Sequence, residues 1–397
     1  MKENLKALTS LRFFAAAAIV IHHTTWYFGY GSHLANLFPL DLGVSFFFIL
    51  SGFVLYYAHP DLSDWRAAIN FIVARIARVW PAHLAMLSIV IIFLARPWGT
   101  GPSDPTATSA LLANVILLQS WYHLSSDFFS FNGVSWSIST EMFFYAMFPI
   151  LIWRWDQTKY FKLVAAGGLA IGCVLRAAHL ELPLLSDKNV LSIDSYVYIF
   201  PPARLFEFAV GIFTADLWAK YSRYASGQAR STVLQAAALV LLVIGVPKLV
   251  TVYAELYRHH YISKAAVKWL FGSGSAPIFA FVIFAMASSK GLFAKALSWR
   301  PLVILGEISF SIYMTHQVLI VALTYNGKLA SLGAMPFQYA AYWTIVILFS
   351  AALWLLIEKP CRKWVVATFK LFFMWPLSKA DLPVRDKIAH SQARSHR

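Results

Sequence analysis

Apolar residues in this chain run in long blocks instead of alternating with polar ones. Ten blocks, at about 8–28, 39–58, 76–96, 137–155, 160–178, 198–218, 232–252, 267–288, 301–324 and 338–358, approach the roughly 20 residues a helix needs to cross about 30 Å of hydrocarbon. They are rich in Leu, Ala and Phe and lack dyad alternation, which predicts helices and not the strands of a barrel. The expected fold class is therefore all-α, a polytopic membrane bundle of about ten transmembrane helices. A weaker block, Leu111–Tyr122, is too short to span and is expected to lie at the interface or dip back in. It belongs to a long connection, residues 97–136, that starts with the Gly/Pro/Ser-rich run Trp98–Pro105 and returns through Asn132-Gly-Val-Ser-Trp136. A loop of that length in a compact protein is commonly a lid or a substrate platform.

Composition supports this reading. Of 397 residues, 59% are hydrophobic, 16% aromatic and only 13% charged, against about 25% charged in soluble domains. The net charge of +15 raises the question of nucleic acid, but its distribution answers it. With the N-terminus inside, 23 Lys and Arg fall at inner ends and 8 at outer ends. The positive-inside rule then puts both termini in the cytoplasm, and the basic charge sets orientation and attracts anionic lipid, with no nucleic-acid partner. The expected location is the cell (inner) membrane, crossed many times. Residues 1–360 read as one transmembrane domain; residues 361–397 read as an interfacial basic helix, Lys363–Trp375, and a polar tail. Cys173 and Cys361 suggest neither a disulfide framework nor a metal site, and no metal is expected. No internal repeat is evident, which weakens a reading as an inverted-repeat transporter.

Ionisable residues inside the blocks carry the candidate chemistry. Arg12 and His23 are eleven residues apart on the first helix, so they share a face to within roughly 20° and lie about 16 Å apart along the axis. Ionisable groups within a membrane usually face a bundle interior or a cavity. The alternative is that Arg12 snorkels at the inner end while His23 or His22 caps the outer one. Glu141, entering from outside through Trp136-Ser-Ile-Ser-Thr, falls at a depth like that of His23, and a carboxylate beside an imidazole fixes its tautomer and steadies it as a base. The competing reading of Glu141 is a carboxylate favoured by the N-terminal end of its helix dipole. Arg204 and Glu207 share the sixth helix and are able to pair with each other.

At the inner side, Arg75 and Arg78 lie three apart on one helix face, so both guanidiniums can fork onto one phosphate; simple positive-inside anchoring is the alternative. Ser309, Tyr313 and His316 form one polar stripe on the ninth helix, as packing contacts or as the lining of a cavity.

Together these segments resemble the acyltransferase-3 family of integral membrane acyltransferases. The matching pieces, in order, are Leu11-Arg12 with His23, Gly43-Val-Ser-Phe-Phe-Phe-Ile-Leu-Ser-Gly52, Arg75-xx-Arg78 with Pro81 and Ser135-Trp-Ser-Ile-Ser-Thr-Glu141 with Phe144-Tyr145. They continue with Arg204-Leu-Phe-Glu-Phe-Ala-Val-Gly211, Leu305–His316 and Glu358-Lys-Pro360. Each is weak alone, whereas the ordered set covers nearly the whole chain and is specific. One departure is Ser45, where many relatives that modify lipopolysaccharide carry Asp; Asp41 is a candidate stand-in. In this respect the chain is more similar to members acting on exopolysaccharide units or macrolides.

The resemblance implies O-acyl transfer, usually of acetyl from acetyl-CoA, to a hydroxyl of a glycan, lipid-linked saccharide or macrolide-like acceptor. Acyl-CoA is then a co-substrate, and no tightly bound cofactor is implied. Carried over by position, His23 is the catalytic histidine, Arg12 its motif partner, and Arg75 and Arg78 the cytoplasmic arginine pair. Read from the residues, Glu141 is expected to orient His23, with Arg75 and Arg78 on the CoA phosphates. Trp136, Ser139, Arg204, Ser309, Tyr313 and His316 are candidates for substrate contact or oxyanion stabilisation. The rival reading is a transporter of an anionic lipid-linked saccharide or other anionic solute, with His23 as a proton relay. A non-catalytic scaffold is a third.

Overall fold

The structure is a computed structural model, and it describes residues 5–29, 31–62, 64–94, 105–184, 190–222, 227–324 and 329–373. The start of the long connection at 97–104 and the tail beyond Phe373 lie outside the described residues. Among the described residues all regular structure is helical. The main helices are α1 (Lys6–Phe28), α2 (Gly43–Ala58), α3 (Trp65–Phe93), α4 (Pro105–Val115), α5 (Trp136–Ile152), α6 (Trp155–His179) and α7 (Pro201–Tyr221). There follow α8 (Gln228–Arg258), α9 (Lys264–Met286), α10 (Arg300–Glu307), α11 (Ser309–Thr324), α12 (Met335–Leu353) and α13 (Lys359–Phe373).

Each of the ten apolar blocks falls on a helix. Eight helices among the described residues are long and apolar enough to span, and a ninth span is α10 with α11, which meet at a 61° bend. The 17-residue α5 is about 25 Å long, just short of a full crossing. Two boundaries differ from the apolar pattern. α3 begins at Trp65, where Asp64 accepts a 2.7 Å hydrogen bond from the Ala67 N–H and so caps a polar first turn that hydropathy alone passes over. At the other end of the chain, the helix does not stop before Pro360. A π-type turn at Trp354–Glu358 widens it where the proline ring faces the carbonyl four residues back, so α12 runs on into α13, which packs against α3.

α2 and α7 form the centre of the bundle, and their backbones touch. A Cβ at Gly52 would sit 2.1 Å from the Phe208 carbonyl oxygen, and one at Gly211 would sit 2.0 Å from that of Ile49. Only glycine fits at either position, and the reciprocal fit holds the two helices at a backbone-to-backbone crossing.

The long connection folds into the bundle. Its polar side chains are buried and bonded inward: Asn114 Nδ2 donates to Ser130 Oγ at 2.8 Å, Gln119 Nε2 to the Ser135 carbonyl at 3.1 Å, and Asn132 Nδ2 to the Met314 carbonyl at 2.9 Å. These bonds draw the segment around the short apolar block Leu111–Tyr122 onto the bundle, and α5 starts at a buried residue, Trp136.

Candidate active site

Arg12 and His23 sit on one uninterrupted helix, α1, which keeps them about 16 Å apart. The expected neighbour of His23 is not the one it has. Its Nδ1 lies 3.0 Å from Nε2 of His316 on α11, and the two rings stack with centroids 5.1 Å apart. His316 is fully buried, and its Nδ1 lies 2.7 Å from the carbonyl of Tyr313. His23 is half-buried. The Tyr313 ring packs 5.8 Å from that of His316, and its hydroxyl is held by Ser137 at 2.8 Å and by the Val134 carbonyl at 3.0 Å.

Glu141 belongs to a different group. Its Oε1 accepts from Tyr145 at 2.5 Å and from Ser51 at 3.1 Å, and its neighbouring cations are Arg12, Arg75 and Arg78. The reason is where α5 begins. Ser137 is level with Tyr313, which lies about 16 Å from the C-terminal end of α11, and Glu141 is one turn further from that end. His23 is only about 7.5 Å from the C-terminal end of α1. Counting Glu141 inward from an assumed surface start therefore placed it too high.

A cavity runs from the arginine group to Ser137 and Tyr313, and neither His23 nor His316 lines it. Arg12, Arg78, Glu141 and Tyr145 line one part of it, Ser137 and Tyr313 another, and Phe47, Phe48 and Phe310 lie along its apolar wall. Neither Arg12 nor Arg78 makes a hydrogen bond or ion pair with any described residue. Arg75 does not share their outlook: its guanidinium lies over the Phe71 ring, 5.5 Å from the centroid, and its Nε has no partner among the described residues. Glu358, in the wide turn before α13, accepts from Ser311 at 3.0 Å and stands in the field of Arg78, Arg12 and Arg362. It went unremarked as a site residue, although an acid in the last apolar block is itself a signal.

The remaining candidates serve the framework. Trp136 packs between Phe48 and Tyr198. Ser139 donates to the Leu117 carbonyl at 2.7 Å and meets Ser120 Oγ at 2.7 Å, which ties the inward-folded connection to α5. Ser309 donates to the Gly306 carbonyl across the α10–α11 bend at 2.8 Å. Arg204 and Glu207 do pair with each other: their side chains are fully buried, with Nε 2.8 Å from Oε2. Arg204 also donates to Ser45 Oγ at 2.8 Å and lies over the rings of Tyr198 and Phe48.

Known proteins similar to this chain are acyltransferases. A family model described as an acyltransferase domain matches residues 5–359. The acyltransferase MdmB of Streptomyces mycarofaciens is 28% identical over 91% of this chain and 92% of its own length. The O-acetyltransferase OatA of Staphylococcus aureus is 24% identical over 95% of this chain, and a putative peptidoglycan O-acetyltransferase, YrhL of Bacillus subtilis, 24% over 90%. The chain spans only 60% of the length of OatA and 55% of that of YrhL. No solved structure matches.

Proposed function

The chain belongs to the acyltransferase-3 family, a multi-pass membrane acyltransferase, and from that premise we propose the reaction it performs: transfer of an acyl group, acetyl in the first instance, from acyl-CoA to a hydroxyl of a glycan or glycan-like acceptor. The names of OatA and YrhL support an oxygen acceptor on a glycan. The observation that carries the donor assignment is the pair Arg12 and Arg78, cations with no hydrogen bond or ion pair among the described residues, facing the cavity whose further part is walled by Tyr313 beside the histidine pair. Planar guanidiniums grip phosphate through charge-assisted, often bidentate bonds. In this reading Arg12 moves from motif partner of His23 to donor site, and Arg75 supports Arg78 from behind. Glu141, braced by Ser51 and Tyr145, lines the same cavity as Arg12 and Arg78.

The pantetheine arm then runs along the phenylalanine wall and brings the thioester to Tyr313 and His23. His23 takes the proton of the acceptor hydroxyl as its oxygen attacks the thioester carbonyl, a contribution of about 10²–10⁴ in rate for a positioned base. The tetrahedral intermediate collapses, the carbon–sulfur bond breaks, and the thiolate leaves and recovers the proton from the imidazolium. Ester and CoA thiol are the products, with no net proton. With both termini inside, as the count of 23 basic residues at inner ends against 8 at outer ends favours, the arginines face the cytoplasmic supply of acyl-CoA. His23 then serves an acceptor at the outer half of the inner membrane.

The test is acetyl-CoA turnover by purified protein in nanodiscs supplied with membrane glycan, read as thiol release together with acetyl on the glycan. His23→Ala is expected to lower both by at least about 10²-fold with acetyl-CoA binding retained. Wild-type rates in that variant would remove His23 from the reaction and end this reading.

A further inference from the structure

His316 is a half-turn of hydrogen-bond logic away from the reacting atoms, and that logic fixes the protonation of His23. A carbonyl oxygen only accepts, so the 2.7 Å contact between His316 Nδ1 and the Tyr313 carbonyl puts a proton on Nδ1. A neutral imidazole carries one N–H, so Nε2 of His316 presents a lone pair. The 3.0 Å contact with His23 is then a bond donated by His23 Nδ1–H to His316 Nε2. The proton of neutral His23 is thereby spent on Nδ1, which leaves the lone pair on its Nε2. With the opposite arrangement, His316 doubly protonated, Nε2 of His23 would carry the proton and no base would remain. A second cation 3.0 Å from the imidazolium of the intermediate would also be repelled.

The acceptor in this dyad is held from several directions. The His316 side chain is fully buried, Tyr342 Oη donates to the His316 carbonyl at 2.9 Å, and the rings of His23 and Tyr313 flank it.

We propose that His316 is a positioning residue for the transfer reaction: it locks His23 in the Nδ1–H tautomer with Nε2 free as the base. This rests on the reading of His23 given above. When His23 takes the acceptor's proton on Nε2, the Nδ1–H bond to His316 becomes charge-assisted and strengthens, so the imidazolium is stabilised by a neutral acceptor in place of a carboxylate. The proton returns to the CoA thiolate, and His316 ends as it began.

The experiment compares His316→Phe, His316→Gln and His23→Ala in full-length protein in nanodiscs, measuring kcat and KM for acetyl-CoA. Phe fills the site without an acceptor, and kcat should fall about 10²-fold or more with KM unchanged within about threefold. Gln offers an amide N–H to the Tyr313 carbonyl and an Oε1 to His23 Nδ1–H, and it should recover most of the lost kcat, to within about tenfold of wild type. A Gln variant that folds, binds acetyl-CoA and is as slow as Phe overturns the tautomer role, as does a Phe variant with undiminished kcat. If Phe fails to fold, the Gln variant decides alone. Full activity in His23→Ala would defeat the assignment of the base itself and is read separately from either His316 result.

Discussion

Two kinds of arginine stand in this bundle, and the contrast between them separates framework from function. Arg204 is paired: Glu207 stands across a 2.8 Å ion pair, Ser45 accepts from it, and two aromatic rings lie against its faces, while its Nη1 has no hydrogen-bond partner among the described residues. Arg12 and Arg78 also come from the apolar interior, yet they meet a cavity and no described residue pairs with them. Both situations are expensive for a cation in a membrane. Arg204 has much of that expense offset by its ion pair and does not line the cavity. Arg12 and Arg78 retain their hydrogen-bonding capacity, which is what an anionic substrate needs. Spacing in sequence does not distinguish the two cases; the presence of a partner does.

The sharpest way to break this contrast is Arg204→Ala. It strands Glu207 as a buried, unpaired carboxylate and should cost about 3–5 kcal/mol of stability, visible as a large drop in folded yield and in Tm. Arg204→Met combined with Glu207→Leu, which removes both charges, should restore most of the loss while acetyl-CoA binding stays near wild type. If the double variant folds and no longer binds acetyl-CoA, Arg204 belongs with the functional arginines.

Arg12→Ala with Arg78→Ala should have the inverse profile. Each lost charge-assisted contact is worth about 1.5–3 kcal/mol, so acetyl-CoA should bind roughly 10²–10⁴-fold more weakly. Tm should hold or rise, because a destabilising desolvated charge has gone. Unchanged affinity by calorimetry would return both residues to topology. The smallest effect is expected from Arg75→Ala, which removes a stack on Phe71 but no cavity-facing donor, with affinity reduced less than about fivefold. An Arg75 effect equal to that of Arg78 alone would revive the picture of two guanidiniums on one phosphate.

The helical bundle was legible because hydropathy acts locally: a block long enough to span must be helical whatever it packs against. The catalytic candidate His23 was legible for a similar reason, since an imidazole within such a block needs an explanation. What the pattern did not yield was partnership. Glu141 was assigned to His23 by counting depth from the membrane surface, but the buried Asn114, Gln119 and Asn132 draw the preceding connection inward and lower the start of α5. His316 was visible as part of a polar stripe, while its meeting with a residue 293 positions away was not. The hydroxyls of Ser139 and Ser309 illustrate the same limit, since their nearest acceptors are backbone carbonyls that have no signature in sequence.

The glycine crossing of α2 and α7 has a mechanical consequence for the cavity. α2 supplies much of the cavity wall, and at Gly52 and Gly211 it is seated on α7 with no layer of side chains between them. Helices separated by side chains can shear by letting rotamers switch, whereas a backbone seat has no such bearing surface. This wall is the stator of the machine. Gly306 gives α10 the same kind of seat, where a Cβ would sit 2.0 Å from the Thr9 carbonyl oxygen of α1, so on the acyl-CoA reading the movement that admits a long thioester is expected in α3, which carries Arg78.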